Sequence, residues 1–246
     1  MSARGRPGAV AGARYKAAAL SLVLHSARPH VPTLRGDVRV FSLEGENKAE
    51  WFGGGLDLTP FIVEEGDFKD FHGALKSLCE KHGEGLYADF KAQCDDYFFI
   101  PSRGEHRGVG GVFFDDLEQL PNGDDAQGFV RDLGAAFIDI WTPVVNRNRD
   151  TEATPSQRAW QELRRGRYLE FNLLHDRGVR FGLSSGPSRM EAIMVSAPPV
   201  IRWDYNGAKN GAVDPRDTGA TPLSEEERQQ REALVELLSG PPKEWA

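Results

Sequence analysis

Three consecutive glycines, Gly53 to Gly55, stand between the Trp51-Phe52 pair and Asp57 in the stretch WFGGGLDLTP. Each glycine costs about 0.5–1 kcal/mol against alanine inside regular structure. A run of three therefore marks a tight bend, a bulge, or a place where something approaches the backbone closely. It is not a phosphate cradle, because no Gly-Lys-Ser/Thr follows and the GxGxxG spacing is absent. An irregular glycine loop would account for the run if it stood alone, so its surroundings decide.

Upstream, AAALSLVL ending at Leu24 reads as a buried strand, and DVRVFSLEG alternates as a half-buried one. Downstream, Asp67 is placed to cap a helix carrying Phe68, Phe71, Leu75 and Leu78 and ending near Gly83. Tyr87, Phe90, Cys94 and Tyr97 repeat that spacing in a second helix, and GVGGVFFDD (108–116) reads as a strand. Phe129, Leu133, Phe137, Ile140 and Val144 mark a third helix, and Thr154-Pro155 opens a short one with Trp160 and Leu163. RYLEFNLLHDRGVRFGL is expected to form two strands joined at Asp176-Arg177-Gly178, and MEAIMVSAPPVIRWDY one more, bent at Pro198-Pro199. Residues 206–221 are expected as a mobile loop, and Ser224 with Glu227 as the capping box of the last helix. Helices and strands do not alternate strictly and hairpin signals dominate. The expected fold class is α+β, one domain over 19–246 behind a basic, disordered stub at 1–18.

At 246 residues, 39% apolar and 27% charged, the chain reads as an ordinary soluble globular protein. A net charge of −7 argues against general nucleic-acid affinity, which needs a basic face. No apolar run approaches bilayer length. Cys79 and Cys94 are the only cysteines and are expected as free thiols. The six histidines are scattered without ligand spacing, so no metal site is expected. No Asp or Glu precedes Asp37, while Arg4, Arg6, Arg14, Lys16, Arg28 and Arg35 are basic. That character suits an organelle transit peptide, leaving a cytoplasmic, mitochondrial or plastid location open.

Three neighbourhoods combine glycine, carboxylate and arginine: Asp37-Val38-Arg39, GGGLDLTP with Asp57, and HDRGVRFGLSSGPSR with Asp176, Arg177, Arg180 and Arg189. Arginines on rigid strands suit carboxylate or phosphate recognition through paired hydrogen bonds. Surface ion pairs at turns would look the same and contribute little. With aromatic residues beside the glycine runs, the pattern suits a flat apolar ligand with anionic arms. The residues themselves name no reaction.

WFGGGLDLTP, CDDYFFIPSRGEHRGVGGVFFDDL, LRRGRYLEFNLLHDRGVRFGL and SRMEAIMVSAPPVIRWDY closely resemble the oxygen-dependent coproporphyrinogen oxidases, from about Ala19 to Trp245. The resemblance implies a large antiparallel β-sheet flanked by α-helices on both sides, working as a homodimer. It implies oxidative decarboxylation of two propionates of coproporphyrinogen III to vinyl groups, with O2 as co-substrate and no metal or organic cofactor. It implies catalytic roles for Asp57, Asp176 and Arg177. Substrate contacts are implied for Ser21, Arg35, Asp37, Val38, Arg39, Gly54, Gly55, Pro187, Ser188 and Arg189. Gly53 to Gly55 are expected to let the chain bend against the macrocycle.

Several positions depart from the family. The string PTLRGDVR puts Arg35 where a proton-donor histidine is expected and Asp37 where an asparagine is. Asp70 and Ser102 replace two further histidines, while His25 is retained. A short basic stretch stands before the Ser21 strand where the family usually has a long segment, so the chain is expected to be a divergent relative or an incomplete gene model. Arginine cannot donate a proton at working pH. Two readings stay open: an active oxidase, or a relative that binds porphyrinogen or pairs with an active partner chain without turning it over.

Overall fold

The computed structural model describes residues 14–43, 49–186, 189–203 and 223–246. Its centre is an antiparallel sheet in the order β1-β2-β3-β6, from β1 (Tyr15–Leu24), β2 (Thr33–Leu43), β3 (Ala49–Thr59) and β6 (Gly111–Leu117). A short hairpin of β4 (Phe99–Ile100) and β5 (Glu105–His106) stands apart from it. The helices are α1 (Glu65–Glu80), α2 (Leu86–Tyr97), α3 (Ala126–Asn148), α4 (Pro155–Leu174), α5 (Arg177–Ser184), α6 (Met190–Ile193) and α7 (Glu225–Ser239). The α+β class and the antiparallel sheet are as expected.

Side chains alternate across a strand, so each strand serves two faces. Leu34 of β2, Leu56 and Leu58 of β3, and Val112 and Phe114 of β6 enter the main core. There they meet Phe68, Phe71 and Leu75 of α1, Phe90 of α2, and Phe129, Leu133 and Phe137 of α3, at the helical spacings read from the sequence. The opposite face looks toward α4 and α5, with Phe113 of β6 clustering with Phe98 and with Phe171 of α4. Glycines let backbones touch at two places beside this layer. A Cβ on Gly108 would lie 2.2 Å from the Leu58 carbonyl oxygen, and one on Gly111 would lie 2.0 Å from that of Leu56. The entry to β6 can therefore lie flat on β3.

Several expectations are corrected. The glycine run is not a bend: Gly53–Gly55 sit inside continuous β3, although the register against β6 does shift between Phe52 and Gly54, as a bulge would. The AAALSLVL strand is an edge strand, exposed from Tyr15 to Ser21, and begins ahead of the boundary placed at 19. The cap of α1 is Glu64; Asp67 lies in its first turn, buried, accepting from Arg147 Nε at 2.7 Å. RYLEFNLLHDRGVRFGL is helical. Thr154 and Gln157 close a capping box, Pro155 starts α4, and the helix runs on to Leu174. Its buried face includes Trp160, Arg164, Tyr168 and Phe171, with Arg164 paired to Glu105 at 3.1 Å. Because a buried arginine occupies that face, the apolar residues alone hide the helical period. Asp176 is not in a hairpin turn but caps α5, accepting from Val179 N–H at 2.7 Å. MEAIMVSAPPVIRWDY gives α6 and an irregular run to 203, held where Arg202 N–H donates to Glu162 O at 2.9 Å. Pro198 and Pro199 have no N–H to give a sheet ladder. The loop expected at 206–221 lies outside the described residues.

His72 of α1 is fully buried between Tyr87 and Val109. Its Nε2–H donates to Val109 O at 3.1 Å, so Nδ1 accepts from the Tyr87 hydroxyl at 2.8 Å. Burial, with Lys91 nearby, lowers its pKa to about 3. The unfolded chain then binds the extra proton between the ordinary value of 6.5 and about 3. The resulting stability is fully present above the upper value and is lost as pH falls through that window. Urea unfolding from pH 7 to pH 5 should show stability falling with a slope approaching about 1.4 kcal/mol per pH unit from this group. His72→Gln should flatten that part of the profile.

Candidate active site

The face of the sheet turned away from the main core carries the chemistry. Register sets its rows: Ser21 pairs with Asp37, Asp37 with Gly55, and Gly55 with Phe113. Val23, Arg35 and Asp57 form the next row, and Arg39 with Gly53 another. Above these rows lies a cleft of about 350 Å³. Its floor is Ser21, Val23, Arg35, Asp37, Arg39, Phe41, Phe113 and Asp115. Its walls are Tyr97, Arg107, Tyr168 and Asn172 of α4, the start of α5 from Asp176 to Val179 with Phe181, and Ser196.

Ion pairs lace this floor together. Asp37 is held by Arg35 Nη2 at 2.5 Å and by Arg39 Nη1. Arg39 Nη2 also reaches Asp115 Oδ1 at 3.3 Å, and Asp115 Oδ2 meets Arg177 Nη1 at 3.0 Å. Behind the floor, Asp57 is paired with Arg107 Nη2 at 2.5 Å, and both residues are buried. The Arg107 guanidinium sits over the rings of Phe98, Tyr168 and Phe171, at 3.9, 4.6 and 4.9 Å from their centroids. Weakly hydrated guanidinium suits such aromatic packing. Arg35 Nη1 and Asp57 Oδ1 lie 3.7 Å apart, too far for a hydrogen bond, and neither atom has a hydrogen-bond partner. Asp37 Oδ1 likewise has no aligned donor. Burial opposes the Arg35 charge, but Asp37 and Asp57 more than offset it and hold its pKa above the ordinary range.

The triple glycine is explained by the two arginines. A Cβ at Gly53 would fall 2.5 Å from Arg39 Nε, and one at Gly55 would fall 3.2 Å from Arg35 Nη1 and 2.6 Å from Val112 O. Gly53 and Gly55 are thus the troughs in which the guanidinium groups lie. Gly54 points to the other face, where its Cβ would meet the Phe114 ring at 2.9 Å. Val38 also turns to that face, packing toward Gly134 of α3.

Of the anticipated residues, Ser21, Arg35, Asp37, Arg39, Asp176 and Arg177 line one cleft, with Gly55 in its floor and Asp57 immediately behind. Val38 and Gly54 present their side-chain positions to the core instead. Arg189 is the exposed residue before α6 and does not line the cleft. Pro187 and Ser188 lie outside the described residues. Sequence reasoning missed Tyr97, Arg107, Phe113, Asp115, Tyr168 and Asn172. Phe113 and Asp115 share a strand face, and Tyr168 and Asn172 are one helical turn apart, so correct element types would have grouped them. Arg107 lies in an irregular link with no period to betray it.

Tyr97 closes one end. It stacks on Phe113 at 4.2 Å, donates its hydroxyl to Asp176 Oδ2 at 3.4 Å, and accepts from Arg177 N–H at 3.2 Å. At the other end His25 donates Nε2–H to Ser196 O at 3.0 Å and meets Tyr168 edge-on at 5.2 Å. Burial lowers the His25 pKa. It raises that of Tyr168, with Arg107 opposing the rise. Both groups are held neutral near pH 7. Among the described residues, no three His, Cys, Asp or Glu side chains are arranged to hold a metal ion.

The two outward glycines should respond differently to alanine. At Gly53 the obstructing atoms end a flexible side chain, so Gly53→Ala should stay within about 1 kcal/mol of wild type while displacing Arg39. At Gly55 a backbone carbonyl blocks the new methyl, so Gly55→Ala should lower stability by about 2 kcal/mol or more in urea unfolding.

Comparison with known proteins identifies the family. The family model described as Coproporphyrinogen III oxidase matches residues 1–225. The chain is 47% identical over 193 residues to the oxygen-dependent coproporphyrinogen-III oxidase, mitochondrial, of Homo sapiens, covering 78% of this chain and 42% of that protein. It is 46% identical over 193 residues to the protein of the same name from Mus musculus, covering 78% of this chain and 43% of that protein. The chain thus spans less than half the length of the curated relatives it matches. On the family match and these identities together, the chain belongs to the coproporphyrinogen III oxidase family.

Proposed function

We propose that the cleft binds coproporphyrinogen III and oxidatively decarboxylates two of its propionates to vinyl groups, giving protoporphyrinogen IX. For each propionate, the arm –CH2CH2COO⁻ with O2 and one proton gives –CH=CH2, CO2 and H2O2. The carbon side chain is oxidised and O2 is reduced. The observation that carries the reading is the cleft floor. Arg35 Nη1 and Asp37 Oδ1 lack hydrogen-bond partners there, beside Arg39 and aromatic Phe113, and Asp57 Oδ1 lacks one immediately behind. Unmet donors suit carboxylate arms, and unmet acceptors suit pyrrole N–H groups.

In this reading Arg39 and Arg177 hold propionates, with Ser21 beside them and Asp176 fixing the start of α5 under Arg177. Asp57 Oδ1 is the base that removes a pyrrole proton before oxygen attacks the ring. Arg107 orients Asp57 through its contact with Oδ2. Arg35 is a carboxylate holder and not a proton donor. The relatives are named mitochondrial, and the reading extends that location and a homodimeric state to this chain. Sedimentation velocity tests the latter. Arg35 in place of a proton donor favours a second reading, binding without turnover.

The deciding assay is conversion of coproporphyrinogen III by the purified protein in air and under argon, with products separated by chromatography. The oxidase reading expects protoporphyrinogen only in air and none from Asp57→Ala. Tight binding without product selects the second reading, and no binding removes both. Arg177→Gln should raise KM about tenfold with a smaller change in kcat, because it removes one charge-assisted contact at the rim. Turnover should survive dialysis against a chelator, and its loss would show that the reaction depends on a metal.

A further inference from the structure

Asp37 lines the cleft and is 5% exposed, yet its carboxylate is turned toward two arginines that also line it. One oxygen stands 2.5 Å from Arg35 Nη2 and the other is bonded by Arg39 Nη1. The contact with Arg35 is a charge contact more than a hydrogen bond, since Asp37 Oδ1 has no aligned donor. Asp57 stands on the far side of Arg35, 3.7 Å from its other terminal nitrogen. Any ligand carboxylate that approaches Arg35 or Arg39 therefore meets a fixed negative charge already seated between them. Like charges at such separations repel strongly where water is scarce.

We propose that Asp37 is an internal carboxylate that occupies the anion-binding capacity of Arg35 and Arg39 and so limits how many ligand carboxylates the cleft accepts. The identity of the ligand rests on the porphyrinogen reading above; the charge competition does not. Asp37 is a specificity-determining residue that works through the two arginines. It weakens binding of a ligand with four carboxylates more than one with two, and it narrows the difference in affinity between a substrate and a product that has lost two carboxyl groups.

The test is Asp37→Asn, which keeps the shape of the side chain and removes its charge, with Asp37→Ser as a second neutral variant. Binding is measured for coproporphyrin III, with four carboxylates, and mesoporphyrin IX, with two. Pyromellitate and phthalate repeat the comparison without a macrocycle. The neutral variants should bind each tetracarboxylate about tenfold more tightly, on the scale of one charge-assisted bond. Each dicarboxylate should change by about twofold or less, because two arms can avoid the Asp37 charge. Tetracarboxylate binding should also fall more steeply with added salt than in wild type. Unchanged or weaker tetracarboxylate binding by folded variants would overturn the proposal. So would failure of both variants to fold, which would make Asp37 a structural counter-charge. If pyromellitate gains affinity while neither porphyrin binds, the competition stands and the porphyrinogen reading fails. If the porphyrins bind wild type and variants alike, the substrate reading survives and the role of Asp37 falls.

Discussion

The ion pair between Asp57 and Arg107 joins the two halves of the site. Asp57 belongs to β3, while Arg107 lies in the link between the small hairpin and β6 and is packed against α4 through Tyr168 and Phe171. Taking both charges out of water costs several kcal/mol per ion, as an order of magnitude. The pair persists because aromatic faces and the second charge on Arg35 share the field. Removing one partner would leave a buried uncompensated charge, a loss of about 3–5 kcal/mol. Position of the cleft wall over the sheet depends on this contact.

From that anchor the remaining charges follow in order. Arg35 lies between Asp57 and Asp37, Asp37 between Arg35 and Arg39, and Asp115 between Arg39 and Arg177. Acid and base alternate from the buried end of the site to its rim. Near-balance of the two signs lets so many ionised groups share one face of a sheet. It also means a ligand carboxylate enters by exchange with a protein carboxylate more than by filling an empty charge.

What could be read from the sequence divides along physical lines. The helices over 65–80, 86–97 and 126–148 were legible because each buries an apolar stripe at regular spacing. The helix opened at Thr154 was legible only as far as Leu163, because Arg164 occupies the buried helical face and leaves an apparent alternation in Leu169, Phe171 and Leu173. That error carried over to Asp176, which looks like a turn residue but is a helix cap; both roles use the same short acceptor side chain. In the site, Asp37 and Arg39 were legible together in DVRVFSLEG, Asp57 through its place after the glycines, and Arg35 only through the family resemblance. Arg107 was hidden, since its charge partner Asp57 and its aromatic neighbours Tyr168 and Phe171 lie far away in the sequence. Of the readings offered for the glycines, the bend against a macrocycle is not found, whereas Gly53 and Gly55 do allow a close approach, by the protein's own arginine side chains.

The nesting of Arg39 in the trough at Gly53 ties the histories of the two positions together. A methyl at 53 would push the Arg39 guanidinium aside at little cost to folding, so its effect falls on the contacts Arg39 makes with Asp37 and Asp115. Once residue 39 is short, the same methyl meets no obstruction there and has no such contacts to disturb. Effects of substitutions at 39 and 53 on the charge chain are therefore non-additive.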